Sequence, residues 1–158
     1  MMEQSEQKPT RPSNRAIVRK DFRIMRSLNE YLERAEKFAK ENTEMRDEIL
    51  ARMLDLSSSE WWGIVSDVPT CEEKMRMFME IAETIQHYMN QDISDPRQEI
   101  VQELNKMASK ETNYLISSPA PRHSSNEFSN VIDGIKHGFK GTRIETFKNW
   151  AKRIEEGI

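Results

Sequence analysis

An all-α protein is expected from this chain: a compact bundle of about five or six short helices, followed by a short helical C-terminal tail. Apolar residues recur at three- and four-residue steps along most of the chain, whereas the alternating and β-branched runs of strands are scarce. Glycine and proline number only five and six, and most fall between these patterns or near the termini. With 158 residues, 36% apolar and 32% charged, the chain fits one helical domain with tails.

The N-terminal part of the chain predicts an arm and then two helices. Residues 1–14 are polar and proline-bearing, and we expect them to form a disordered arm. The bundle is expected over residues 15–116. Asn42-Thr43 predicts a break, and a second helix is expected over residues 45–54. The first helix presents one apolar face to the core, formed by Val18, Phe22, Met25, Leu28, Leu32, Ala35 and Ala39.

Two helix starts are marked by the spacing of a hydroxyl and a carboxylate. Ser57 stands three residues before Glu60, and Thr70 stands three residues before Glu73. Each pair fits a capping box, in which the two side chains accept hydrogen bonds from otherwise unpaired backbone N–H groups. We therefore expect one short helix after Ser57 and a longer one after Thr70.

The short helix after Ser57 carries two adjacent tryptophans, Trp61 and Trp62. A helix of barely two turns is unstable in water and needs neighbours to pack against. We expect one of the two indole rings to be largely buried, beside Leu54 and Phe78.

The C-terminal third divides into a helix, a linker and a tail. Ser94-Asp95-Pro96 is typical of a helix start, with a capping side chain followed by proline in the first turn. Residues 117–126 are polar and proline-bearing and predict a linker. Residues 127–158 are expected to form a short helical tail that Gly138 and Gly141 interrupt. We expect the bundle to fold without this tail.

Charge is distributed unevenly around the net value of −3. From Lys8 to Arg26 there are seven basic residues and one acidic residue, whereas residues 27–118 contain nineteen acidic and ten basic residues. Such faces steer partners of opposite charge, although a solvated helix face or a flexible tail would have the same composition. The candidate interaction residues are the basic Arg19, Lys20, Arg23 and Arg26 and the acidic Asp55, Glu60, Asp67, Glu72 and Glu73.

Residues 50–81 resemble the caspase-recruitment domain of the death-fold superfamily. The matching parts, in chain order, are Met53-Leu54-Asp55-Leu56, Ser57-Ser58-Ser59-Glu60, Trp61 to Ile64, Pro69-Thr70 and Glu73-Lys74-Met75-Arg76. The resemblance implies a death-fold-like bundle and an adaptor in apoptotic or innate-immune signalling. It also implies homotypic binding, in which acidic and basic surfaces of two such domains pair.

Patterns of catalytic and cofactor sites are not found in the sequence. The three histidines lack metal-ligand spacing, and neither a glycine-rich phosphate loop nor a G-x-S-x-G elbow occurs. The single cysteine, Cys71, excludes an internal disulfide and is expected to be structural. We therefore expect a non-enzymatic protein without cofactor or metal. An apolar run of membrane-spanning length and a secretory signal are likewise not found, so a cytoplasmic, intracellular protein is expected.

A second function class remains open: an oligomeric helical scaffold, such as a viral one, whose basic N-terminal arm contacts nucleic acid. Apolar residues at two heptad positions form a seam such as an oligomerising coiled coil requires. They are Val18, Met25, Leu32, Ala39 and Met53 at one position and Leu28, Ala35, Ile49 and Leu56 at the other. A continuous helix over residues 17–56 would favour the scaffold. A break near Asn42 would favour the bundle and its protein partner, which could be a second copy of the chain.

Overall fold

The computed structural model describes residues 20–117 and 127–157, which form helices and connecting turns with no strand in either range. This confirms the predicted all-α class. Four of the helices are long and one has seven residues, in place of five or six short ones. In chain order they are α1 (Phe22–Met53), α2 (Ser58–Ile64), α3 (Asp67–Met89), α4 (Arg97–Ser117) and α5 (Glu127–Glu156).

Helix α1 is continuous over 32 residues, so the break expected at Asn42-Thr43 is wrong. The Asn42 side-chain amide donates to the carbonyl of Phe38, and the Thr43 hydroxyl donates to the carbonyl of Ala39, each at 2.9 Å. Both polar side chains are therefore satisfied inside the helix that they were expected to interrupt. The side chain of Asp21 caps the N-terminus by accepting from two backbone N–H groups of the first turn.

The long helices run antiparallel in succession around one core. Helix α1 packs on α3, α4 packs on α5, and α3 contacts both α4 and α5. Lys20, just before α1, donates to the carbonyl of Met89 at the end of α3, at 2.7 Å. The rings of Phe38 and Phe78 lie 5.1 Å apart between their centroids. The largest fully buried side chains of the core include Leu28, Ile81, Ile85, Ile100, Leu104, Phe147 and Ile154.

Helix α5 completes this core, so the prediction of a short C-terminal tail is wrong. It spans 30 residues, and its Phe147, Ala151 and Ile154 are buried on one face at helical spacing. Gly138 and Gly141 lie inside α5 because the cost of a helical glycine, about 1 kcal/mol, is small beside the burial of such a face. The expected N-terminal arm and residues 118–126 of the expected linker lie outside the described residues.

The tryptophan helix α2 also differs from expectation, since neither indole ring is largely buried. Trp61 is half-buried, Trp62 is 46% exposed and Leu54 is 88% exposed. Helix α1 continues to Met53 and carries α2 beyond the part of α3 that packs against α4 and α5. The core therefore forms at the other end of the α1–α3 pair.

Only the first of the two predicted capping boxes is present. Ser57 and Glu60 make both hydrogen bonds of the box at the start of α2. Thr70 instead lies inside α3, which begins at Asp67, and its hydroxyl donates to the carbonyl of Ser66 at 2.9 Å. Pro69 occupies the first turn of α3, where a backbone N–H has no helical acceptor.

Candidate protein-interaction surface

One end of the molecule combines acidic charge with exposed apolar side chains. This end, here called the acidic tip, consists of residues 44–74: the last part of α1, all of α2 and the first turns of α3. Eight acidic and three basic residues fall within it. Leu50, Leu54 and Trp62 are all exposed large hydrophobic residues. Exposed apolar side chains bordered by polar residues are typical of a protein-binding surface.

The first turn of α2 is stabilised by its own capping box. The backbone N–H of Ser57 donates to Glu60 Oε1 at 3.0 Å, and Ser57 Oγ accepts from the N–H of Glu60 at 3.4 Å. Hydrogen bonds from the backbone and hydroxyl of Ser57 lower the pKa of Glu60, so its carboxylate stays charged. None of the seven described residues of α2 is fully buried. The capping box therefore stabilises the start of a helix that has no fully buried residue.

Three small or aliphatic side chains of the acidic tip are buried. Ile49, Val65 and Cys71 are buried yet lie outside the main core cluster. Burial raises the pKa of the Cys71 thiol, which stays protonated near neutral pH. Cys71 is thus a small buried apolar residue and not an activated nucleophile.

Three of the five predicted acidic interaction residues lie on the surface of the acidic tip. Asp55 and Asp67 are exposed at the two ends of the segment that contains α2, and Glu60 is exposed within α2. The fold brings these carboxylates to the same end of the bundle as Leu54. Together they form a surface that a partner could contact.

The other two predicted acids are engaged within the chain. Glu73 is buried, and its Oε2 lies 2.7 Å from Arg76 Nη1. Glu72 is half-buried, with its Oε2 3.6 Å from Arg46 Nη1. Glu73 is therefore poorly placed for a partner, and Glu72 contributes to the edge of the acidic tip.

The predicted basic residues lie at the far end of α1. Lys20 donates to the carbonyls of Met89 and Gln91 and so caps the C-terminal end of α3. Arg23 and Arg26 are exposed, whereas Arg19 lies outside the described residues. With 32 residues at 1.5 Å each, α1 is about 48 Å long, and this basic end and the acidic tip lie at its two ends. The structure thus places the two predicted charged surfaces at opposite ends of one helix.

A charge cluster around the buried Arg143, here called the Arg143 cluster, joins three helices and was not predicted from the sequence. Arg143 of α5 is buried and donates to Glu80 of α3 and to Glu111 of α4. Lys140 Nζ also lies 3.2 Å from Glu111 Oε1. Burial opposes the charge on Arg143, but the hydrogen bonds to Glu80 and Glu111 outweigh it and raise the pKa of Arg143. Because these residues are far apart in sequence, no local motif marks them.

The Arg143 cluster borders a cleft of about 630 Å³ between α3 and α4, with His87 and Glu103 in its walls. The cations Arg143 and Lys140 are paired with Glu80 and Glu111, so this arrangement joins helices and leaves no isolated charge in the cluster. Within the two described ranges, no group of three or more His, Cys, Asp or Glu residues could hold a metal ion.

Comparison with known proteins finds no matching family model, no matching curated protein and no matching solved structure. The caspase-recruitment resemblance and the functions it implies therefore stay predictions. Among the helices of the described residues, none combines the length and the apolar character that crossing a bilayer requires.

Proposed function

We propose that the protein is a non-enzymatic protein–protein interaction adaptor that binds through the acidic tip. One observation carries this proposal: Leu54 is 88% exposed at the end of a 32-residue helix, beside the exposed carboxylate of Asp55. Covering such an exposed leucine with a partner's apolar surface lowers the free energy of the complex. Neighbouring carboxylates would select a partner whose surface is basic around an apolar centre.

The rest of the fold is well suited to present this surface on a stable helical bundle. Helices α3, α4 and α5 bury a common core, and the Arg143 cluster links all three. The seam of α1 that suggested an oligomeric coiled coil is already covered within the chain, because Leu28, Leu32, Ala35 and Ile49 are buried. The continuity of α1 is the feature expected of the scaffold, but because its apolar seam is buried, α1 serves as the spine of one bundle in this proposal. The acidic tip remains available.

The caspase-recruitment resemblance supports a more specific form of the proposal. In this form the partner carries the same kind of domain, and the protein acts in apoptotic or innate-immune signalling in the cytoplasm. The separation of acidic and basic ends along α1 is compatible with charge pairing between two such domains. A scaffold that binds nucleic acid through the basic N-terminal arm predicts a different outcome in the test below.

A pull-down with a matched control tests the proposal. The double variant Leu54→Ser/Asp55→Lys alters the acidic tip, and Ile116→Ser/Asp92→Lys makes the same chemical changes elsewhere. Ile116 is 79% exposed on α4, and Asp92 is exposed after α3. We expect the first variant to lose the protein partners that the wild type retains from nuclease-treated lysate, and the second to keep them. Partners that vanish with nuclease, or that both variants retain equally, would contradict the proposal.

A further inference from the structure

We propose that the acidic tip of one molecule binds a groove between α1 and α5 of a second copy. This inference rests on the proposed function and names both the partner and the receiving surface. The groove has a volume of about 660 Å³ and is called the cationic groove here. It is lined chiefly by an aromatic floor of Phe38, Phe78 and Trp150 and a basic rim of Arg34, Lys152 and Arg153.

The floor of the cationic groove offers an apolar surface of fixed shape. The Trp150 ring centroid lies 6.2 Å from that of Phe78 and 6.5 Å from that of Phe38, in tilted and edge-to-face contacts. All three side chains are half-buried, so each retains accessible surface. Clusters of aromatic side chains at intermediate exposure are typical centres of protein interfaces. Leucine and tryptophan side chains of an incoming acidic tip would be covered by this floor.

The rim of the cationic groove is complementary in charge to the acidic tip. Arg34, Lys152 and Arg153 are exposed, and Glu156 is the single acid that lines the groove. The Arg34 guanidinium lies over the Tyr31 ring, 5.2 Å from its centroid, which holds one rim cation in place. Three cations around an aromatic floor match three exposed carboxylates, those of Asp55, Glu60 and Asp67, around exposed Leu54 and Trp62.

The groove fits this role better than the basic end of α1 does. Lys20 at that end is hydrogen-bonded to two carbonyls at the C-terminal end of α3, and the large apolar residue near it, Phe22, lies against Arg26. The cationic groove combines basic and apolar surface in one concave site. A surface that binds the acidic tip needs a cavity for the exposed leucine and basic groups for the neighbouring carboxylates.

The contact joins two different surfaces and is therefore heterologous. Each molecule presents both an acidic tip and a cationic groove, so association continues head to tail into chains or closes into a ring. This arrangement makes a prediction that a two-fold symmetric dimer does not. A molecule with only a working tip and a molecule with only a working groove should form one dimer and stop.

The test is sedimentation of the full chain, after nuclease treatment, over a wide range of concentration. The groove variant, Lys152→Glu/Arg153→Glu, reverses two rim charges of the cationic groove. The tip variant, Leu54→Ser/Asp55→Lys, removes the exposed leucine and reverses one charge of the acidic tip. The controls are Lys106→Glu/Lys148→Glu, which reverses two other exposed cations of α4 and α5, and Ile116→Ser/Asp92→Lys. Circular dichroism checks that each variant is folded. We expect each of the first two variants to weaken self-association by about tenfold or more, and the controls to match the wild type.

Mixing the tip variant with the groove variant decides the geometry. A stable species of two molecules in the mixture, weaker at high salt and not formed by either variant alone, supports head-to-tail binding. Failure of the mixture to associate overturns the inference. A groove variant that associates like the wild type also overturns it, yet leaves the acidic tip as a binding surface. A wild type that stays monomeric overturns it too, and the adaptor proposal then depends on the pull-down alone.

Discussion

Arg143 on α5 and Glu111 on α4 form a charge-assisted hydrogen bond, with 2.8 Å between Arg143 Nε and Glu111 Oε2. The same guanidinium donates to Glu80 on α3, so one side chain joins three helices. A planar guanidinium can bind two carboxylates at once because its N–H groups point in fixed directions. The C-terminal helix, which the sequence presented as a tail, is thus bound to the core by charge as well as by apolar contacts.

Replacing Arg143 with methionine should destabilise the fold while keeping most of the side-chain volume. The loss leaves the carboxylates of Glu80 and Glu111 without their shared partner, and we expect a cost of about 3 kcal/mol in the free energy of unfolding. Urea denaturation measures this change. The exposed Lys148 of the same helix provides the control, since Lys148→Met should change stability by about 0.5 kcal/mol or less. Equal midpoints for the two variants would show that the Arg143 cluster is not stabilising.

The ion pair should also make stability depend on pH in the acid range. Burial opposes the charge on Glu111, but hydrogen bonds from Arg143 and Lys140 outweigh it and lower the pKa of Glu111 below its ordinary value of 4.5. A carboxyl group whose pKa is lowered by folding stabilises the folded state above that ordinary value. This stabilisation is lost as the pH falls through the folded-state pKa.

We therefore expect Glu111→Gln to be less stable than the wild type at neutral pH, with a difference that shrinks below about pH 4.5. Unfolding free energies of both proteins, measured from neutral to acid pH, provide the comparison. A difference that is constant over this range would contradict the assignment of the acid sensitivity to Glu111.

Phe147 tests whether α5 belongs to the core. Its side chain is 0% exposed, and Phe147→Ala should cost about 3–5 kcal/mol in unfolding free energy because it opens a cavity among α3, α4 and α5. Phe22 is the matched control, since it is 75% exposed at the start of α1 and Phe22→Ala should cost about 1 kcal/mol or less. Thermal melts of the two variants separate these outcomes. Nearly equal melts would restore the interpretation of residues 127–158 as a dispensable tail.

Local signals in the sequence predicted the helical class and several helix ends. The capping box of Ser57 and Glu60 is present because its two side chains satisfy backbone groups within four residues. The apolar face of α1 is buried at Leu28, Leu32 and Ala35, as the periodicity indicated. Such features depend on residues that are close together along the chain, so the sequence alone can predict them.

Features that depend on distant parts of the chain were not predictable in this way. Asn42 and Thr43 are typical of a turn, yet the packing of α1 on α3 keeps the helix intact through them. The Arg143 cluster joins residues on three helices, and the cationic groove joins Phe38 and Trp150 from the first and last helices. Periodicity identified the apolar residues but not which helix would cover each face, and so it placed one of Trp61 and Trp62 in the core.

Lys20 and Arg23 are both basic residues near the start of α1, but charge reversal should affect them differently. Lys20 donates to the carbonyls of Met89 and Gln91 near the C-terminal end of α3, where negative partial charge accumulates. Lys20→Glu would place a carboxylate against these carbonyls, and we expect a loss of about 0.5–1 kcal/mol in stability. Arg23→Glu puts an acid in the first turn of α1, where the helix dipole favours it, so its melt should equal or exceed that of the wild type. Thermal denaturation at low salt compares the stability of the two variants. A Lys20→Glu protein as stable as Arg23→Glu would show that the Lys20 contact does not hold the start of α1 to α3.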